Sequence, residues 1–225
     1  MSVNAIITAG GTSSRFGKSN KLLEKINGKE VIKYTVEAFL ASNVDRVIIC
    51  ANLSIMKELK AIFKSIEKID IIEGGKTRQE SVYNGLKHSK CDYVLIHDGA
   101  RPVITPELIN ICIETVKWQK ALSVMTKTTD TIKEVENGKI IKTIDRTKLY
   151  NTQTPQAFEY DLILKAHKQF SGQNFTDDAG MVEAMGEDVF IVEGSYKNIK
   201  ITTQNDIVLA ENYIVTSPVK SILLN

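Results

Sequence analysis

Short, nearly unbroken apolar runs alternate along this chain with stretches whose apolar positions recur at helical spacing. Residues 3–8, 46–51, 69–73 and 93–97 read as strands, and residues 31–41, 55–66, 78–88 and 106–120 as helices that follow them. Strands without a polar face, each followed by a helix, belong in a parallel sheet covered on both sides. Two helix starts carry their own signals. Thr77 and Glu80 have the spacing of a capping box, in which each side chain satisfies a free N–H of the first turn. Thr105 stands just before Pro106, and proline suits a first helical position because its missing N–H would have no partner there.

The rhythm breaks after a fifth apolar run at 121–125. Segments 130–135 and 139–144 flank Asn137-Gly138, a pair suited to a two-residue turn with two positive φ angles. Both segments carry charge that reads as exposed, Asp130, Lys133 and Glu134 on the first and Lys139 and Lys142 on the second. A two-stranded ribbon is marginal on its own in water, so this hairpin is expected to pack on something, and a second subunit is the simple candidate. Residues 152–156, Thr-Gln-Thr-Pro-Gln, form an extended polar segment to which no chemistry attaches by inspection. Helical patterns return at 162–168 and 178–185, and apolar strands at 189–192 and 199–202. Thr203 with Asp206 starts a last helix to about residue 214, and the tail from Thr216 is expected to be loosely held. The whole reads as one domain over residues 1–225, with 128–150 as a protruding arm.

Composition narrows the class. At 225 residues, with 43% hydrophobic and 25% charged positions, the chain has ample material for a core. A net charge of +2 with scattered lysines speaks against a nucleic-acid partner, which asks for a basic face. No apolar run approaches the ~18 residues of a membrane span, and no basic segment precedes a long apolar stretch, so neither membrane nor secretion is expected. Cys50, Cys91 and Cys112 form no CxxC and cannot all pair. They read as thiols of a reducing cytoplasm.

Chemistry gathers first where the opening strand ends. Ala9-Gly10-Gly11 leads into a polar loop carrying Arg15, and Lys21 follows. Glycines admit positive φ and close backbone approach, so successive N–H groups can face one concavity. With two fixed positive charges beside it, the loop suits a polyphosphate at the carboxyl end of a strand, where open α/β sheets bind ligands. It is not the Gly-x-x-x-x-Gly-Lys-Ser/Thr loop, because Thr12 stands where the first glycine is needed, nor the Gly-x-Gly-x-x-Gly fingerprint, because Gly10 and Gly11 are adjacent. The alternative is an ordinary tight turn with solvated charges.

A second glycine junction, Gly74-Gly75 followed by Ser81, could recognise a base edge or ribose, or simply turn the chain. Asp98, at the tip of the run ending in His97, could hold magnesium beside a nucleotide, since that ion prefers oxygen and keeps phosphates in its shell. Its alternative is a structural ion pair with Arg101. His97 reads as a packing side chain. Thr131, Asp145 and Arg146 matter only if the arm reaches a site, and Thr176-Asp177-Asp178 has the form of a helix cap. Lys200, between apolar neighbours, either snorkels outward or enters a charged pocket.

In this order, the segments resemble the 2-C-methyl-D-erythritol 4-phosphate cytidylyltransferases of non-mevalonate isoprenoid biosynthesis. Five separated motifs carry the likeness: the Ala-Gly-Gly loop with Arg15 and Lys21, Gly-Gly-x-x-Arg-x-x-Ser-Val from Gly74 to Val82, His-Asp-Gly-Ala-Arg-Pro from His97 to Pro102, Thr-Pro-Gln from Thr154 to Gln156, and Asn-Ile-Lys-Ile-Thr from Asn198 to Thr202. The chain departs from the family at Thr8, Asn20 and Lys76.

The resemblance implies a Rossmann-like α/β nucleotidyltransferase with a mostly parallel twisted sheet and a hairpin exchanged as an arm across a homodimer. It implies transfer of CMP from CTP to methylerythritol phosphate with magnesium as cofactor. Arg15, Lys21 and Lys200 take catalytic positions; Ala9, Gly10, Gly11, Gly75, Ser81 and Asp98 take nucleotide positions, Asp98 also lying near the metal. Arg101, Thr131, Arg146, Thr176 and Lys200 take substrate positions. Ala-Gly-Gly and Gln-Thr-Pro-Gln are also similar to the ribitol 5-phosphate cytidylyltransferases, which make CDP-ribitol for teichoic acid. A nucleotide-binding module without turnover is the alternative of another class.

Overall fold

The computed structural model describes residues 1–11, 16, 20–88 and 90–215. Its elements run β1 (Val3–Ala9), β2 (Lys25–Ile26), β3 (Lys29–Glu30), α1 (Val31–Leu40), β4 (Arg46–Ala51), α2 (Leu53–Ile62), β5 (Ile69–Glu73) and α3 (Arg78–His88). Then follow β6 (Tyr93–Asp98), α4 (Pro106–Gln119), β7 (Ala121–Lys127), β8 (Ile132–Glu136), β9 (Lys139–Ile144) and a 3-10 turn at Arg146–Lys148. Last come β10 (Tyr150–Glu159), α5 (Tyr160–Gln169), α6 (Asp178–Ala184), β11 (Phe190–Glu193) and α7 (Gln204–Val215). The tail from Thr216 lies outside the described residues.

Seven strands form one sheet in the order β11-β7-β10-β6-β1-β4-β5. All run parallel except β10, which is antiparallel to both neighbours. The apolar runs explain this. Alternate residues of one strand enter opposite cores: Ile6, Ile48 and Ile96 pack with Val82 of α3, Ile163 of α5 and Val182 of α6. Ile7, Ile49 and Leu95 face Phe39 of α1, Leu59 of α2 and Ile113 of α4. A strand buried on both faces has no place for a polar stripe. The sheet order reverses at β1, with β4 on one side and β6 on the other, which opens a crevice beyond the carboxyl ends of these strands.

The capping signals resolve in detail. Thr105 Oγ1 accepts from the Leu108 N–H at 3.3 Å ahead of Pro106. Thr77 Oγ1 accepts from the Glu80 N–H at 3.1 Å, but the Glu80 carboxylate reaches back to the Lys76 N–H at 2.7 Å, one residue before the box position. Asp206 Oδ2 accepts from the N–H groups of Thr202 and Thr203, each at 2.8 Å.

Two expectations are corrected. Residues 199–202 join no sheet; Ile201 donates instead to the Ala100 carbonyl at 2.8 Å. Residues 152–156, read as an extended polar segment, are indeed extended and lie inside β10 in the middle of the sheet. The predicted helix at 55–66 is shifted to α2, because the Asn52 side chain caps an earlier start by accepting from the Ser54 N–H. The predicted Asn137-Gly138 turn is present, with φ of 49° and 78°. Its strands β8 and β9 pair only with each other, largely exposed. Among the described residues no helix is long and apolar enough to cross a membrane.

Candidate active site

Both glycine junctions sit where parallel strands end, Gly10 after β1 and Gly74 after β5. The predicted left-handed backbone is absent: neither Gly10 nor Gly11 has a positive φ. Glycine supplies closeness instead. A Cβ on Gly10 would lie 2.9 Å from Ser81 Oγ, and one on Gly75 would lie 2.2 Å from the Glu80 Cβ. Ser81 Oγ accepts from the Gly75 N–H at 2.9 Å and donates to the Thr77 carbonyl at 2.8 Å. One buried hydroxyl therefore ties the second loop to the first turn of α3, packed close beside Gly10 of the first loop.

Beyond these turns opens a cleft of about 360 Å³. Of the candidate residues, Ala9, Gly10, Gly11, Lys21, Ser81, Asp98 and Lys200 line it. Arg15 lies outside the described residues. Lys21 crosses from the first loop to donate to the Ile201 carbonyl at 2.6 Å, joining two segments far apart in sequence.

Asp98, at the end of β6, is the centre of charge. Its Oδ2 lies 3.0 Å from Lys200 Nζ and 3.3 Å from Arg101 Nε, and its Oδ1 lies 3.5 Å from Arg78 Nε. Burial pushes this carboxyl pKa up, but Lys200, Arg78 and Arg101 outweigh it and hold the group ionised, well below the usual carboxylate range. Asp98 is thus the ion-pair partner of Arg101, as one of its two readings had it, and it also faces the cleft. Lys200 is in the pocket rather than snorkelling outward. Arg101 is buried, lies behind Asp98 and donates through Nη1 to the Asn198 carbonyl at 2.7 Å.

Strand β10 supports this cluster. Thr154 Oγ1 accepts from the Asp98 N–H, and Asn198 Nδ2 donates to the Thr154 carbonyl at 2.9 Å. Gln156 Oε1 accepts from the N–H groups of Asp178 and Ala179 at 3.0 and 3.1 Å, while its Nε2 donates to Asp177 Oδ2 at 2.7 Å. Asp177 in turn caps α6, accepting from the Gly180 N–H. His97 is fully buried, and burial drives its pKa down to about 3, so the ring stays neutral in support of a packing role.

Other candidates lie apart from the cleft lining. Thr131 and Arg146 are exposed at the base of the hairpin, where Arg146 donates to the Thr129 carbonyl. Thr176 is exposed just before α6. The sequence reading gave no role to Arg78, Thr154, Gln156 or Asn198. Their one signal was membership of the motifs, since their partners are remote in sequence. The three cysteines are unpaired, and burial pushes their thiols up to about 12.

The arrangement suits a ligand rich in negative charge. Three cations surround one carboxylate, Lys21 adds a further positive charge to the cleft lining, and Gly10 and Gly11 form part of the wall, whereas the candidate Gly75 lies behind the lining residues Lys76 and Thr77.

Comparison with known proteins identifies relatives of the whole chain. A family model described as 2-C-methyl-D-erythritol 4-phosphate cytidylyltransferase matches residues 3–216. Proteins of that name from Clostridioides difficile (strain 630) and Caldanaerobacter subterraneus are 41% and 40% identical, over 94% and 95% of this chain and 93% and 99% of theirs. Among solved structures, 4-diphosphocytidyl-2C-methyl-D-erythritol synthase from Anaerococcus prevotii superposes with a TM-score of 0.85 at 32% identity, covering 95% of this chain and 96% of that one. The cytidylyltransferase of Thermus thermophilus gives 0.81 at 28%, covering 96% and 100%.

Proposed function

The chain belongs to the 2-C-methyl-D-erythritol 4-phosphate cytidylyltransferase family, and from that premise we propose how its cleft works. It is a nucleotidyltransferase: it transfers CMP from CTP to 2-C-methyl-D-erythritol 4-phosphate, releasing pyrophosphate, in isoprenoid biosynthesis. The observation that carries the reading at residue level is the Asp98 cluster, with Arg78, Arg101 and Lys200 around one carboxylate at the strand ends.

The chemistry asks for no protein nucleophile. The acceptor is a phosphate monoester, whose second pKa of about 6 leaves an anionic oxygen at neutral pH. That oxygen attacks the α-phosphorus of CTP in line, the new P–O bond forming as the bond to pyrophosphate breaks. The obstacle is charge: an anion approaches an anion, and more charge gathers on the leaving group. Fixed cations and close placement lower that barrier. Lys21 and Lys200 meet the phosphates, with Arg15 in the same role. The Gly10–Gly11 and Gly74–Gly75 backbones hold the nucleoside, and Ser81 sets the spacing between them.

Magnesium fits through Asp98. This carboxylate stays ionised, and among the described residues its Oδ1 has only the long contact to Arg78. Among the described residues no three His, Cys, Asp or Glu side chains gather to hold a metal alone, which suits an ion that takes one carboxylate and completes its shell with phosphates and water. When bound, magnesium neutralises triphosphate charge as a Lewis acid.

The arm completes the acceptor side. Val135, Ile140 and Ile141 are 55%, 59% and 49% exposed on a ribbon with no sheet neighbour. Burial against a second copy removes that apolar surface and brings Thr131 and Arg146 to the partner's cleft, opposite Thr176 and Lys200. Three unpaired cysteines suit a reducing, cytoplasmic setting. The test is pyrophosphate release from CTP and magnesium with methylerythritol 4-phosphate and ribitol 5-phosphate in parallel. Release with the first alone is expected; release with ribitol phosphate alone overturns the acceptor.

A further inference from the structure

Arg78 shares the cleft, yet half of its charge is turned away from it. Its Nη1 lies 2.7 Å from Asp178 Oδ2, closer than its Nε lies to Asp98. Asp178 is completely buried and absent from the cleft lining, and its Oδ1 meets His167 Nε2 at 3.1 Å. Withdrawing a charge from water is costly unless it is paired. Helix α6 does not need this charge for its cap, because Asp177 already supplies one. A neutral residue at 178 would leave that cap intact. The buried carboxylate is therefore explained by what it holds.

What it holds closes a ring. Thr154 accepts from the Asp98 N–H; Asp98 faces Arg78; Arg78 faces Asp178; and the Asp178 N–H donates to Gln156. Thr154 and Gln156 belong to the same strand, so β10 closes the circuit. His167, itself fully buried and stacked 6.2 Å from Tyr83, stops Asp178 from turning away. Without the Asp178 charge, Arg78 has one carboxylate left, and it competes with Lys200 and Arg101 for Asp98.

We infer that Asp178 is a positioning residue, which acts through Arg78 to fix the Asp98 carboxylate and to hold the start of α6 in register with the cation cluster. The inference rests on the cytidylyltransferase reading of the cleft.

The test is a double-mutant cycle on kcat, with CTP affinity measured beside it. Wild-type protein is assayed first; absence of pyrophosphate release there overturns the cytidylyltransferase reading, a different failure from failure of the ring. Asp178→Asn is expected to lower kcat roughly 10- to 100-fold, the scale of a misplaced reacting geometry, with the CTP dissociation constant within about twofold of wild type. Arg78→Gln lowers kcat too, and the double variant is no slower than Arg78→Gln alone, because residues that act through one contact are not additive. Losses that multiply overturn the proposal. Should Asp178→Asn not fold, Arg78→Lys carries the test. A single ammonium cannot span both carboxylates, so its kcat is expected to fall nearly as far as that of Arg78→Gln, and wild-type turnover in Arg78→Lys overturns the proposal.

Discussion

The hydroxyl of Thr154 accepts from the backbone N–H of Asp98 at 3.1 Å and lies 2.9 Å from His97 Nδ1. One hydroxyl thus ties β10 to two successive residues of β6. Replacing Thr154 with Val keeps the shape but leaves the buried Asp98 N–H without a partner. Such a loss costs about 1–3 kcal/mol. Urea unfolding of Thr154→Val should show that destabilisation together with reduced turnover, and Thr154→Ser should recover most of both. Wild-type stability in the valine variant would reject the assignment.

Lys21 separates catalysis from folding. Its ammonium reaches the Ile201 carbonyl at 2.6 Å from a half-buried position at the cleft, so its removal opens no core cavity. Lys21→Ala should lower turnover roughly 10²–10³-fold, the scale of losing one transition-state donor. Circular dichroism and oligomeric mass should stay at wild-type values. Near-normal turnover would remove Lys21 from the phosphate site.

Acid sensitivity follows from His97. Burial lowers its pKa from 6.5 to about 3, so between those values the unfolded chain takes up a proton that the folded chain refuses. The stability from this group is complete above pH 6.5 and drains as the pH falls towards 3. Asp98 and Asp178, held below the ordinary carboxylate value of 3.8 by their cations against the pull of burial, lose their share at still lower pH. The urea midpoint should fall steadily between about pH 7 and pH 4. His97→Gln should be less stable at neutral pH yet flatter over that window, and an unchanged slope would place the titration elsewhere.

The parallel strands were legible because burial on two faces leaves an unbroken apolar run, as in Val47–Ala51 of β4. Strand β10 hid itself for the opposite reason. Gln153, Thr154 and Gln156 are buried polar residues whose partners lie in β6, α6 and the 195–198 turn. Alternation of apolar and polar positions cannot reveal a strand whose inward side chains bind other polar groups. Pro155 misleads further, since proline argues against a central strand unless the pairing is broken there. The register does shift between Thr152 and Gln156. Ile199 and Ile201 show the reverse error. Their alternation reads as a strand, but they pack on the core from a segment that pairs with no sheet. The cationic residues of the site were visible as types within motifs. Arg78 gained meaning only when Asp98 and Asp178 were seen on either side of it.

Exchange of the arm has its own signature, because it puts Lys21 and Arg146 of one chain into different sites. In a two-fold dimer with crossed arms, each cleft takes Lys21 from its own chain and Arg146 from the partner. Lys21→Ala and Arg146→Ala are each expected to be nearly inactive alone. In a mixed dimer, one cleft carries both substitutions and the other keeps the native lysine and arginine together. Random reassortment makes about half of the dimers mixed, so roughly a quarter of wild-type activity should return when equal amounts are unfolded together and refolded. Recovery well above the sum of the parents supports exchange. An arm that serves its own cleft gives no recovery, because every chain then carries its defect to its own site.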